Sequence, residues 1–216
     1  MPTSYDAVLY DLDGTLLDSF GLILESFRHT RRVHFGDVID DAVFRNGIGT
    51  PLRAQLGTMA RSEAELEAMV TTYVTHNLEH HDSLVSAYEG AVESVEKLRD
   101  AGIKLALVTS KMRRGAEMGL RFLGLMDAFP VQVCADDVTR GKPDPEPVLL
   151  ALSQLGVEPG RAAFVGDSPH DILSGNAAGV MTVAASWGPF PEQALRDSQP
   201  SVFAASPMDV LQQLGF

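Results

Sequence analysis

A chain of 216 residues, 45% hydrophobic and 21% charged, has ordinary globular composition and enough material for one large domain or a domain plus an insert. The formal net charge of −12 argues against a nucleic-acid or anionic-membrane surface, and an anionic substrate would need local positive charge from a metal or a lysine. The one cysteine, Cys134, excludes an internal disulfide and fits a reducing compartment.

The N-terminal MPTSYDAV has no basic-then-apolar targeting pattern, and no apolar run reaches bilayer length, so a cytoplasmic location is expected. Ala7–Tyr10 (AVLY) predicts a short buried strand that ends at Asp11 and Asp13, followed by Gly14 and Thr15. Residues 18–35 place Phe20, Ile23, Leu24 and Phe27 at helical spacing, behind Asp18 and Ser19 as caps. NGIGTP at 46–51 reads as a turn, with Thr50 capping a helix that has Pro51 at its first position. Ser62 and Glu65 match a capping box ahead of an apolar stripe of Leu66, Met69, Val70, Tyr73, Val74 and Leu78. No strand candidate appears before Ile103. The prediction is therefore a helical insert over 18–83, between the two parts, 1–17 and 84–216, of an α/β domain.

Beyond the insert the pattern alternates. Helices are expected over 90–101, 113–124, 146–155, 172–178 and 208–214. Strands are expected over 103–108, 131–135, 162–165 and 180–184, with a short one over 201–204. Cys134 lies in the apolar run 131–135 and reads as core. This alternation predicts an α/β fold with a doubly wound parallel sheet.

The residues that follow each strand carry the chemistry. The first strand ends in Asp11 and Asp13, the second in Thr109 and Ser110, and the fourth in Asp167, while Lys142 sits in a proline-stiffened loop after the third. In a parallel sheet these ends share one edge. Two acids spaced by two along an extended chain point the same way, and they repel unless a cation lies between them or one takes a proton. Carboxylates, hydroxyls and a lysine converging there match phosphoryl transfer, with Mg2+ as the hard cation suited to oxygen ligands.

DLDGT at 11–15, a hydrophobic run ending in Thr109, Lys142 in GKPDP, and GDSPHD at 166–171 resemble, in that order, the four motifs of the haloacid dehalogenase-like hydrolase superfamily. The resemblance spans essentially the whole chain. It implies a Rossmann-like core with the helical insert as a C1-type cap. It implies Asp11 as the nucleophile that forms an aspartyl-phosphate, and Asp13 as the acid and then the base. Thr109 and the Ser110 amide would hold phosphoryl oxygens, and Lys142 would neutralise charge between Asp11 and phosphate. Mg2+ would be held by Asp11, the Asp13 carbonyl and Asp167, with Asp171 in or near the ring of groups around them. Members that remove halide lack the acid at position 13, so this chain looks like a phosphatase. SFRHT at 26–30, HDSLVSAYEG at 81–90 and the histidine of GDSPHD are similar to a bacterial inorganic pyrophosphatase grouped with phosphoglycolate phosphatases. The implied substrate is a small phosphate ester or pyrophosphate; for the assembly, a monomer or homodimer is expected.

A phosphomutase on the same core is the alternative activity. The insert has no lysine between Asp18 and Glu93 to form a Schiff base, which counts against a phosphonatase. A non-catalytic phospho-acceptor domain shares the strand-end residues but is shorter and lacks the insert. Several side chains have two readings. Asp171 is either an acid at a helix N-terminus or part of the metal surroundings. His170 is a packing histidine or a substrate contact. Arg45 and Arg53 flank the turn of the insert and belong to a solvated face or read a substrate's second charged end. Lys111 and Arg113 read as first-turn surface charge, with an extended phosphate clamp as the alternative. His76, His80 and His81 read as a solvated helix face.

Overall fold

The apolar run Ala7–Tyr10 forms β1, buried at all four residues, in the middle of a six-stranded parallel sheet. The computed structural model describes residues 5–37 and 51–216, and its contacts divide the chain into two units, Met1–Asp18 with Ala87–Phe216, and Ser19–Ser86. Two-residue strands β2 (Leu17–Asp18) and β3 (Ser86–Ala87) pair where the chain leaves and re-enters the first unit. The sheet continues with β4 (Lys104–Val108), β5 (Val131–Val133), β6 (Ala162–Gly166), β7 (Met181–Ala185) and β8 (Val202–Ala204), in the order β5-β4-β1-β6-β7-β8. Tyr10 pairs with Leu107 on one side and Val165 on the other, so the carboxyl ends of β1, β4 and β6 finish level.

The unit Ser19–Ser86 is helical: α1 (Phe20–Phe35), α2 (Leu52–Gly57), α3 (Glu63–Glu79) and one turn, α4 (His81–Leu84). Leu66, Met69 and Tyr73 of α3 pack against Leu24 and Phe27 of α1 and Leu56 of α2. Each such buried side chain is worth about 1.5–3 kcal/mol in transfer terms. Ser62 caps α3 by accepting the Glu65 N–H. The return half of the expected capping box is diverted, because the Glu65 carboxylate takes the Arg61 N–H and guanidinium. Pro51 is the residue before α2 rather than its first. Thr50 and Arg45 lie outside the described residues.

The reading of His76, His80 and His81 as one solvated face needs correction. His80 is exposed, but His76 and His81 are buried. His76 turns inward because Ser26 of α1 offers it a hydrogen bond, and the His81 Nδ1 meets the Asp82 carboxylate at 2.7 Å.

The first unit's helices are α5 (Ala91–Asp100), α6 (Arg113–Leu123), α7 (Glu146–Leu155), α8 (Pro169–Ala178), α9 (Glu192–Asp197) and α10 (Asp209–Leu214). Strand alternation sends Leu9, Ala106 and Phe164 to the core layer shared with Val148, Ala151 and Leu152 of α7. Cys134 is fully buried, and burial pushes its thiol up to about 12, which leaves it inert. The third strand stops at Val133, two residues short of expectation, because the Asp137 carboxylate takes the Cys134 N–H and folds the chain into a 3-10 turn. Among the described residues no helix is long and apolar enough to cross a membrane.

Candidate active site

Asp11 continues β1 beyond its last paired residue, its N–H donating to the Val165 carbonyl at 2.9 Å. The chain then closes a tight loop in which Gly14 N–H reaches the Leu17 carbonyl and the Leu16 and Leu17 N–H groups reach that of Leu12. Gly14 has a φ of 89°, and a Cβ there would lie 2.4 Å from Asp167 Oδ2. Only glycine therefore permits both the turn and the approach of Asp167.

Lys142 is 5% exposed, and its three N–H bonds are all used. They go to Asp11 Oδ1 at 2.8 Å, Asp171 Oδ1 at 2.6 Å and the Val108 carbonyl at 3.2 Å. The loop after β5 thus ties β1, β4 and α8 together through one ammonium. Asp171 is fully buried and fits the reading as an acid at a helix N-terminus, since its second oxygen accepts the Ser168 N–H and hydroxyl. Ser168 and Asp171 form the capping box that starts α8, with Pro169 at its first position.

Asp167 accepts the Thr15 hydroxyl at 2.9 Å, and Trp187 donates its indole N–H to the Thr15 carbonyl at 2.9 Å. One carboxylate oxygen each from Asp11, Asp167 and Asp171 lies within 4.8 Å of the others. Burial pushes the Asp11 carboxyl up to about 7; Lys142 opposes this, and Asp171 and Asp13 add to it. Burial likewise raises Asp167 well above the usual carboxylate range, helped by Asp171 and Asp11. Burial alone would lower Lys142, but the Asp11 and Asp171 carboxylates outweigh it and raise the ammonium.

After β4, Thr109 is buried and its Oγ1 accepts the Lys111 N–H at 3.2 Å. The Ser110 hydroxyl is buried with no hydrogen-bond partner among the described residues. Lys111 is not surface charge, because its Nζ lies 2.8 Å from Asp13 Oδ1. Arg113 does fit the surface reading, paired with Asp137 and hydrogen-bonded by its N–H to Asp136. His170 Nδ1 is buried without a hydrogen-bond partner among the described residues, and burial lowers the ring's pKa. Arg53 belongs to the helical unit and is ion-paired with Glu63 and Glu67.

Asp11, Asp167, Asp171 and Lys142 are thus brought together, and Asp13 is held by Lys111. A family model described as haloacid dehalogenase-like hydrolase matches residues 8–185. The chain belongs to that family. Pyrophosphatase PpaX of Bacillus pumilus is 40% identical to this haloacid dehalogenase-like hydrolase over 214 residues, 99% of this chain and 98% of that protein. A HAD-superfamily hydrolase from Geobacter sulfurreducens is similar at 27% identity and a TM-score of 0.74, covering 99% of this chain and 98% of that one. A predicted phosphoglycolate phosphatase from Haemophilus somnus shares the fold, with a TM-score of 0.90 over 99% of each chain at 22% identity.

Sequence reasoning missed the support for Asp167 in this hydrolase. Thr15 and Trp187 are 172 positions apart, and nothing local to Trp187 announces the contact. The Ser168–Asp171 box could have been found, since S-x-x-D is written inside GDSPHD.

Proposed function

We propose that this chain is a Mg2+-dependent phosphatase acting on a small phosphate anion, with inorganic pyrophosphate as its substrate, through an aspartyl-phosphate on Asp11. One observation carries the reading: the Lys142 ammonium bridges Asp11 and Asp171 at the sheet edge where Asp167 also ends. The PpaX relatives, named as pyrophosphatases, support the substrate.

A divalent ion fits the residues present. Three buried carboxylates face one buried lysine, and the upward shifts of Asp11 and Asp167 register that surplus of negative charge as well as burial. Oxygen donors suit Mg2+. Asp11, Asp167 and the Asp13 carbonyl would hold it. Asp171 has both oxygens committed to Lys142 and Ser168, so it acts by fixing those groups. When bound, the ion supplies charge stabilisation to phosphoryl oxygens.

The chain's own residues do the rest. The ionised Asp11 carboxylate attacks phosphorus and forms an acyl-phosphate bond as the bond to the leaving oxygen breaks. Asp13 gives its proton to that oxygen. Asp13 then takes a proton from water, the water oxygen attacks phosphorus, and the bond to Asp11 breaks, which releases phosphate and restores both carboxyl groups. Lys142 favours the ionised form of Asp11 against the burial that opposes it. The Thr109 hydroxyl, the Ser110 amide and the Lys111 ammonium receive the phosphoryl oxygens. The helical insert serves as a cap that excludes water and favours small substrates. We place the enzyme in the cytoplasm, where Cys134 stays reduced.

The test is a phosphate-release screen with pyrophosphate, phosphoglycolate and sugar phosphates, with Mg2+ and with a chelator. Pyrophosphate turnover that the chelator abolishes is expected. A folded protein that releases phosphate from none of them in Mg2+ would falsify the proposal, and interconversion of sugar phosphates without release would favour a phosphomutase.

A further inference from the structure

The helical unit holds a row of three imidazoles: His29 from α1, His76 from α3, and His80, which follows α3 directly. The His29 and His76 rings stack with centroids 4.4 Å apart and 23° between their planes. His76 and His80 lie 4.4 Å apart at 48°. All three line one open groove of about 420 Å3, together with Glu79. Nothing in the phosphoryl-transfer chemistry uses them.

The surroundings of His76 assign its tautomer. Ser26 Oγ has one proton, which it donates to the Leu22 carbonyl at 2.8 Å, and it already accepts an N–H from Asn77 Nδ2 at 3.3 Å. Toward His76 Nδ1, 3.1 Å away, the serine therefore presents a lone pair. The hydrogen sits on Nδ1 and the lone pair on Nε2. This is how metal-ligating histidines are oriented, with the second ring nitrogen held by an outer hydrogen bond.

Spacing and charge agree. His76 and His80 are four apart, the separation at which two imidazoles on one helix face grip a single ion. Burial and the neighbouring His29 and His80 rings lower the pKa of His76, so it offers Nε2 at neutral pH without a competing proton. Glu25 acts in the opposite direction and Arg32 in the same one, and these two are paired with each other.

We propose that His76 Nε2 and His80, joined by His29 after a ring rotation, form a binding site for a borderline divalent transition-metal ion such as Ni2+ or Zn2+. The 48° between the His76 and His80 rings suits two ligands converging on one ion, whereas the nearly parallel His29 ring must turn to join them. Imidazole nitrogen favours Zn2+, Ni2+ and Cu2+, and carboxylate oxygen favours Mg2+, so this site and the acidic cluster take different ions.

Ni2+ is titrated calorimetrically into the intact 216-residue chain in saturating Mg2+, which is added to occupy the carboxylates. One equivalent of Ni2+ is expected to bind. The exposed substitution His80→Ala should weaken that binding about tenfold or more, and His29→Ala should weaken it as well. With Zn2+ as the probe, the His76 Nε2 and His80 ring signals should shift in nitrogen-detected NMR spectra. Absence of uptake in Mg2+, or uptake of unchanged affinity in the folded His80→Ala protein, overturns the site.

Discussion

Lys111 Nζ lies 2.8 Å from Asp13 Oδ1, so the side chain proposed to move protons is held by a cation from the turn after β4. A charged hydrogen bond is worth about 1.5–3 kcal/mol. Replacing Lys111 by Met should therefore lower kcat/KM by about 10- to 100-fold, read by steady-state kinetics on pyrophosphate. Asp13→Asn should lower kcat by about 10²- to 10⁴-fold, with Mg2+ affinity little changed because only its backbone carbonyl is a proposed ligand. Loss of ion binding in Asp13→Asn would contradict that assignment.

Asp11→Asn removes the proposed nucleophile while keeping nearly the same volume. Turnover should fall by at least about 10³-fold, the scale on which losing a nucleophile acts. Rapid-quench experiments should trap an acid-stable phosphoprotein in the wild type and none in the variant. A variant that turns over at the wild-type rate would remove Asp11 from the mechanism.

Lys142 neutralises two buried carboxylates at once. Breaking a buried ion pair from one side costs about 3–5 kcal/mol. Lys142→Met should lose stability on that scale in urea unfolding, together with activity. Asp171→Asn should lose less stability, because its remaining amide can still cap α8. Equal stability of Lys142→Met and wild type would mean the cluster is solvated rather than dry.

Gly14 makes room for Asp167, and Trp187 holds the carbonyl of the next residue, Thr15. Gly14→Ala should displace Asp167 and weaken Mg2+ binding even where the protein stays folded. Trp187→Phe keeps the packing and deletes one hydrogen bond, worth about 0.5–1.5 kcal/mol. Its effect should appear as a matching loss of ion affinity in calorimetry, and wild-type affinity would show that Thr15 needs no such support.

The acid cluster makes the ion-free protein sensitive to pH. Asp11 rises from its ordinary 3.8 to about 7, so between those values the folded state binds more protons than the unfolded state. Stability from this group is therefore full at low pH and is lost as pH rises from about 4 to 7. Asp167 acts in the same direction, while the lowered His170 acts in the opposite one. Comparison with Asp11→Asn isolates the group: without divalent ions, the variant should gain stability relative to wild type as pH rises across that window. A flat difference would mean Asp11 is already ionised at low pH. Apparent Mg2+ affinity of the wild type should weaken below pH about 7 as protons compete.

Much of the fold could be read from the chain because parallel strands buried on both faces must be apolar where they are buried, as β1 and β6 are over their whole length and β4 is after the exposed Lys104. α9 escaped because EQALRD is short and polar, and β2 and β3 because two residues carry no periodicity. In the site, Asp11, Lys142 and Asp167 stood out as polar residues at strand ends or in stiff loops. The Lys111–Asp13 pair did not, because its partners are 98 positions apart and a lysine after a turn looks the same in solvent. His76 was misread for a related reason. Its burial depends on Ser26 and Asn77, which reveal themselves only when α1 meets α3.

β2 and β3 run alongside each other, so everything between them is a detour that starts and finishes at one doorway. The hydrogen bonds joining β1 to β4 do not pass through it. Such an excursion can be lengthened, swapped for another or trimmed to a short loop without reordering the sheet. The wiring of this chain thus lets the reaction machinery stay fixed while the inserted module changes.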